Sequence, residues 1–187
     1  MVILLSDLEL EKNKLRQFYL KKRASITKKR YKEAQNQLTN LLKKRFEKET
    51  FILSFASKSS EISLWELNEF LANQNSLILP KCNKHNLDLY LVKNINKDLR
   101  FGNYKIKEPI PFRCQDIDSK YIKIALIPFL TTCSSHHRLG YGKGFYDRFL
   151  KKNPHIHSIG IGFKELFSPT PLPTNTYDQT LKEVILF

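Results

Sequence analysis

The chain has 187 residues, 41% hydrophobic and 27% charged, with a formal net charge of +14 at pH 7. That length suits one domain with a sizeable core over residues 1–187, and the apolar content excludes a disordered chain. The longest apolar run, "IALIPFL", is too short to cross a bilayer, and "MVILL" followed by "SDLELEK" lacks the plan of a secretory signal.

Cysteine usage points to the cytoplasm. Cys82, Cys114 and Cys133 are odd in number and have no C-x-x-C spacing, so they read as reduced thiols. His136-His137 and His155-x-His157 have only Cys133 at a zinc-like spacing, which is too little for a metal site. The charge is uneven. Residues 1–48 carry 14 Lys/Arg against 5 Asp/Glu. Two readings stay open: a surface for a polyanion such as RNA, or a site for small phosphorylated ligands with the remaining lysines solvated. The aromatic residues of this segment sit at core spacing, and no RNP or KH pattern is present, which disfavours nucleic acid.

In chain order, Ser6 and Glu9 form a capping box that opens a helix with Leu8, Leu15, Phe18 and Tyr19 on one side. A second helix starts at Thr27 and keeps its apolar period through Tyr31, Ala34, Leu38, Leu41, Leu42 and Phe46. Residues 50–56 read as a buried strand, and 63–72 as a helix with a second box, Ser63 to Glu66. A strand over 76–80 is expected to stop at Pro80, and 87–92 alternates as a strand with one wet face. Residues 93–120 read as loop or hairpin and 121–128 as a strand. A short helix from Phe145 ends at Asn153-Pro154. Strands follow at 158–163 and 181–187, separated by the irregular, proline-spaced 168–174. Strands interleaved with helices predict an α/β fold with a mixed, largely parallel sheet. Its ligand sites belong at the carboxyl ends of strands, in 55–62, 80–86 and 129–144.

The last of these holds "RLGYGKGFYDRFL" (138–150), with three of the six glycines in five residues. It fails the Walker pattern G-x-x-x-x-G-K-[ST] and the dinucleotide pattern G-x-G-x-x-G. What it keeps is their shared physics: glycine-loop N–H groups, the positive end of a helix, and full charges on Lys143 and Arg138. A di- or triphosphate suits such a loop. A plain glycine turn with Phe145, Phe149 and Leu150 in the core suits it as well. Asp147, in the first helical turn, either complements the helix dipole or offers an oxygen to Mg²⁺.

This stretch, behind a strand ending in proline, closely resembles the motif of 5-formyltetrahydrofolate cyclo-ligases. The resemblance extends to "KNKLR" (12–16), "SFASKSSEI" (54–62), "LPK" (79–81), "KEP" (107–109) and "TYDQTLKEVI" (176–185), in order. It implies a three-layer α/β/α fold of the NagB/RpiA/CoA transferase kind. It also implies MgATP-dependent closure of 5-formyltetrahydrofolate, with or without a polyglutamate tail, to 5,10-methenyltetrahydrofolate, by a cytoplasmic monomer. By the resemblance, ATP meets Lys12, Arg16, Arg138, Leu139, Gly140, Tyr141, Gly142, Lys143, Gly144, Phe145 and Tyr146. Arg138, Lys143 and Tyr146 serve catalysis. The folate meets Phe55, Ala56, Glu61 and the stretch Tyr141 to Phe145, and Mg²⁺ meets Asp147 and Asp178. Three features depart from the family pattern: "PFLTTC" (128–133) stands in place of "PGLAFD", Lys182 in place of a second aspartate, and Phe145 in place of a tyrosine. A phosphate-binding protein without turnover is the alternative that these departures keep open.

Overall fold

The computed structural model describes residues 7–58, 60–102 and 106–187. Ser6, and with it the first capping box, lies outside the described residues. Helices α1 (Asp7–Ala24) and α2 (Lys28–Arg45) precede β1 (Ile52–Leu53), α3 (Trp65–Asn73), β2 (Leu77–Asn83) and β3 (Asn86–Leu91). Next come β4 (Leu99–Phe101), β5 (Lys107–Pro109), β6 (Gln115–Asp116), β7 (Ile124–Pro128), β8 (Thr131–Thr132) and β9 (Arg138–Leu139). The chain closes with α4 (Phe145–Lys152), β10 (His157–Gly162) and β11 (Glu183–Leu186).

Seven strands form one sheet in the order β11-β10-β7-β1-β2-β3-β6. The four pairings from β11 to β2 are parallel, and β3 and β6 add antiparallel pairs at one edge. The sheet is therefore mixed and largely parallel, as the interleaved pattern predicts. Side-chain alternation divides the core into two faces. Ile52, Leu77, Leu79, Leu126, Ile159 and Ile161 pack with Tyr19, Leu38, Leu42 and Leu67 of the first three helices. Leu53, Ile78, Ala125 and Ile127 pack with Phe149 and Leu150 of α4. Helices thus cover both faces, making three layers.

Five local expectations are corrected. Strand β2 does not stop at Pro80. It runs to Asn83 and forms a hairpin with β3 in which Pro80 faces Leu89. Ser54 N donates to Ile78 O, so the even-numbered groups of β2 point toward β1. The β1 pairing ends at Leu53–Ile78, so the missing N–H of Pro80 breaks no ladder bond. The strand expected over 50–56 pairs only at Ile52 and Leu53, and the one over 121–128 begins at Ile124 after a 3-10 turn. The Ser63–Glu66 box does not form. Helix α3 starts at Trp65 with Leu64 as an N-cap that has no side-chain bond, while Leu64 N is taken by Ser57 Oγ at 2.9 Å. Finally, α1 does not bury an apolar stripe. Lys12, Tyr19 and Arg23 are its buried residues, and Phe18 is 57% exposed. Thr27, by contrast, caps α2 as expected by accepting from Arg30 N.

The departure at Phe129 is a core feature. The residue is 3% exposed and lies against the two glycines of β10. A Cβ on Gly162 would come within 2.6 Å of the Phe129 ring, and one on Gly160 within 3.0 Å. We expect Phe129→Ala to cost about 3–5 kcal/mol of stability in urea unfolding, because the glycines cannot refill the space.

Strand β11 is clasped by a cluster at its first residue. Glu183 takes a bidentate pair from Arg45 at 2.6 and 2.8 Å and a contact from His157 Nε2 at 2.8 Å. The Arg45 bonds, with help from His157, hold its carboxyl at about 2. A carboxyl depressed on folding adds stability that is complete above its unfolded pKa and is lost as pH falls toward the folded one. Wild type should therefore lose more stability than Glu183→Gln between about pH 5 and pH 2 in pH-resolved thermal melts, by the same linkage.

Candidate active site

At the carboxyl ends of β1, β2 and β7 lies a cavity of about 640 Å³. Every residue singled out from the sequence lines it. Lys12 and Arg16 come from α1, and Phe55, Ala56 and Glu61 from the segment after β1. Arg138 and Leu139 come from β9, the loop Gly140–Gly144 follows, and Phe145, Tyr146 and Asp147 open α4. Asp178 comes from the turn before β11. The expected loop at 80–86 is instead part of the β2–β3 hairpin, yet Pro80 and Cys82 still reach the cavity.

The glycine loop takes its shape from two left-handed residues. Gly142 has φ of +85° and Gly144 has φ of +64°, conformations that a side chain disfavours. Gly144 is the N-cap of α4, and no side chain caps the helix there. The first N–H groups of α4 therefore open toward the cavity with its positive dipole end. The ammonium of Lys143 has no protein partner among the described residues. Arg16 braces the loop by donating from Nε to Gly140 O at 3.1 Å, and its guanidinium lies about 3.0 Å from where a Gly142 Cβ would be. Alanine at 144 should cost about 1–2 kcal/mol in urea unfolding, because its φ lies in the left-handed region.

Around this cradle, cations and carboxylates are paired. Lys12 Nζ lies 2.5 Å from Asp178 Oδ2, which also accepts from Asn175 N at 2.8 Å. Arg138 Nη1 lies 3.0 Å from Asp147 Oδ1, and that oxygen accepts from Gln179 N at 3.1 Å. The two carboxylates thus come to one wall of the cavity through neighbouring residues, Asp178 and Gln179. No group of three or more His, Cys, Asp or Glu with metal-binding geometry exists among the described residues. Two hard oxygen donors next to an anion cradle fit Mg²⁺, which takes one or two carboxylates and fills its shell with phosphate oxygens and water.

Glu61 is buried against the glycine loop itself. Its Oε2 accepts from Lys58 N at 2.8 Å, and its Oε1 accepts from Tyr141 Oη at 2.7 Å. Burial first, and then the Glu61 charge, push the Tyr141 and Tyr146 phenols well above the ordinary range. Arg23 opposes that push at Tyr141, and Arg138 opposes it at Tyr146. Both hydroxyls are therefore donors at neutral pH. Burial also raises the Cys82 thiol, with Glu108 adding to the effect, so it is a poor nucleophile. The site offers anion binding, a carboxylate for N–H groups and hydroxyl donors.

Some of its residues escape the sequence reading. Lys58 stands 4.2 Å over the Tyr141 ring, and Lys81 pairs at 3.7 Å with the buried Glu108, joining "LPK" to "KEP" across β2 and β5. Arg23 is the most informative omission. Lys12, Arg16, Tyr19 and Arg23 follow the helical period i, i+4, i+7, i+11, so that period already placed Arg23 on the face of Lys12.

Of the departures from the family pattern, none faces this cavity apart from Phe145. Phe129 is in the core, Thr132 Oγ1 donates to His137 O, and Cys133 packs with Leu139 and Leu172. Lys182 donates from Nζ to Pro154 O at 2.7 Å.

The model of the 5-formyltetrahydrofolate cyclo-ligase family matches residues 9–186. A "Probable 5-formyltetrahydrofolate cyclo-ligase" of Schizosaccharomyces pombe is 25% identical over 123 residues, 59% of this chain and 60% of that protein. The chain thus matches under two thirds of that relative's length. The NMR structure of Aquifex aeolicus 5,10-methenyltetrahydrofolate synthetase shares the fold with a TM-score of 0.81 at 24% identity, covering 94% of this chain and 89% of that one. The Mycoplasma pneumoniae 5,10-methenyltetrahydrofolate synthetase gives 0.71 at 20% identity, covering 94% and 98%.

Proposed function

The chain belongs to the 5-formyltetrahydrofolate cyclo-ligase family, and from that premise we propose that it closes 5-formyltetrahydrofolate to 5,10-methenyltetrahydrofolate at the expense of ATP. The observation that carries this reading is one cavity lined by both the glycine cradle and Glu61.

A formamide oxygen is a poor leaving group. Transfer of the γ-phosphoryl group to that oxygen, with ADP leaving, turns it into phosphate, and N10 of the same folate then attacks the formyl carbon and loses its proton. Phosphate departs as the ring closes. The reaction needs no protein nucleophile, which suits a cavity whose thiol is held protonated. It needs positioning and charge neutralisation, as phosphoryl transfer does generally. In this reading the N–H groups of the Gly140–Gly144 loop and α4 hold the triphosphate. Lys143 and Arg138 meet the charge that develops on the transferred group, and Lys12 and Arg16 meet the remaining phosphates. Tyr146 donates from its hydroxyl. Asp147 and Asp178 would hold Mg²⁺, which would offset the negative charge of the phosphates when bound. The pterin N–H donors match the Glu61 carboxylate, with Phe55, Ala56 and the inner loop as walls.

The ion pairs suit this use. A triphosphate would draw Lys12 and Arg138 away from Asp178 and Asp147, freeing both carboxylates for the ion that accompanies it. Three cations of α1 point inward at carboxylates or the glycine loop rather than outward, which supports a small-ligand reading of the basic N-terminal segment over a polyanion surface. No helix among the described residues is long and apolar enough to cross a membrane. The same reading takes the protein as a cytoplasmic monomer, and its basic surface suits a polyglutamate tail on the substrate.

Incubation with 5-formyltetrahydrofolate and MgATP should give the absorbance of the methenyl product. Soluble, folded protein that forms none with all three present overturns the reading. If ATP nevertheless binds in calorimetry, the chain is a phosphate-binding relative without turnover. Lys143→Ala should lower kcat about 100-fold or more, as removal of one transition-state charge contact does, with an unchanged melting temperature.

A further inference from the structure

Arg23 is out of water with too few partners. It is 4% exposed, and its Nε and Nη1 have no hydrogen-bond partner among the described residues. Nη2 alone is bonded, donating to Tyr141 Oη at 2.7 Å. Leaving buried charged donors unmade is costly, and an apolar side chain of similar volume is often tolerated better at such a place. Packing does not explain an arginine here.

Glu61 does. Arg23 Nη1 stands 3.9 Å from Glu61 Oε1, the oxygen that accepts the Tyr141 hydroxyl at 2.7 Å. The guanidinium also lies 5.7 Å from the centre of the Tyr141 ring. The contacts form a directed chain: Arg23 donates to Tyr141, and Tyr141 donates to Glu61. Tyr31 Oη holds the Glu61 backbone by donating to its carbonyl at 2.7 Å. Arg23 itself does not line the cavity. It stands behind the carboxylate, where a fixed positive charge orients Glu61 and sustains it in a buried setting without touching the ligand.

We propose that Arg23 is a positioning residue for the folate carboxylate: through the Tyr141 hydroxyl and its own charge it fixes Glu61 for recognition of the pterin N–H groups. The inference rests on the reading of Glu61 given above. It separates folate recognition, organised from the last turn of α1, from phosphate binding, organised by Lys12 and Arg16 nearer its start.

The test has two arms. In the kinetic arm, Arg23→Met should raise KM for 5-formyltetrahydrofolate about tenfold or more, as loss of a hydrogen bond to a charged group does, leaving KM for ATP and kcat within about twofold. Tyr141→Phe should give a smaller rise in KM for 5-formyltetrahydrofolate. The double variant should match Arg23→Met, and Arg23→Lys should recover part of the loss. Lys and Phe variants keep the test open if Arg23→Met fails to fold. The second arm needs no substrate. In urea unfolding, a double-mutant cycle of Arg23→Met with Glu61→Gln should show coupling of at least about fivefold in the unfolding constant. A coupling factor near one overturns the proposal. So does an unchanged folate KM, or a parallel rise in both KM values, which marks general loosening. Wild-type protein that neither binds nor converts 5-formyltetrahydrofolate takes this proposal down with the function it rests on, and the coupling factor then reports a purely structural pair.

Discussion

A cation leaves water only when an anion meets it, and the first helix of this protein is organised by that constraint. Lys12, Arg16 and Arg23 occupy the inward face of α1, where a helix of this amphipathic kind normally buries leucine. Each finds an acceptor from a distant part of the chain or from its own first turn: Asp178, Glu9 with the Gly140 carbonyl, and Glu61 with Tyr141. The helix is therefore held by charge at the positions where it borders the cavity, and by Tyr19 and Leu15 where it borders the core. Its polar contacts are also the ones that a ligand can rearrange.

The remaining architecture is conventional by comparison. The parallel strands β1 and β7 are short and apolar on both faces, and helices cover both. Their carboxyl ends leave a gap that the glycine loop and α4 fill from one side and the segment after β1 fills from the other. An α/β sheet puts a ligand at that gap for topological reasons, whatever the chemistry. The chemistry enters through a small set of side chains aimed into it.

How legible this was depends on the kind of signal. The helical period of Ala34, Leu38, Leu42 and Phe46 named α2 correctly, because all four are fully buried. The glycine stretch named a loop that lines the cavity, since positive φ at Gly142 and Gly144 is a local property of the chain. Pro80 misled, because a proline's effect on a strand depends on whether a neighbour stands on its nitrogen side, and only pairing decides that. The Ser63–Glu66 box misled because Ser63 Oγ accepts from Trp65 N instead of Glu66 N, and the helix takes Leu64 as its N-cap. Arg23 was missed because charge in a sequence reads as surface until its partner is known, and that partner is 38 positions away in Glu61.

The contact between Phe129 and the two glycines of β10 has a historical side. Residues 129, 160 and 162 share one volume, so a ring at the first requires the other two to lack side chains. A lineage that acquires the phenylalanine must already carry the glycines. Once the ring is in place, neither strand glycine can regain a side chain while the ring remains. The three positions are then entrenched together. Relatives with glycine at the position of Phe129 should show larger residues on the neighbouring strand, and changes at these sites should appear in pairs across the family tree.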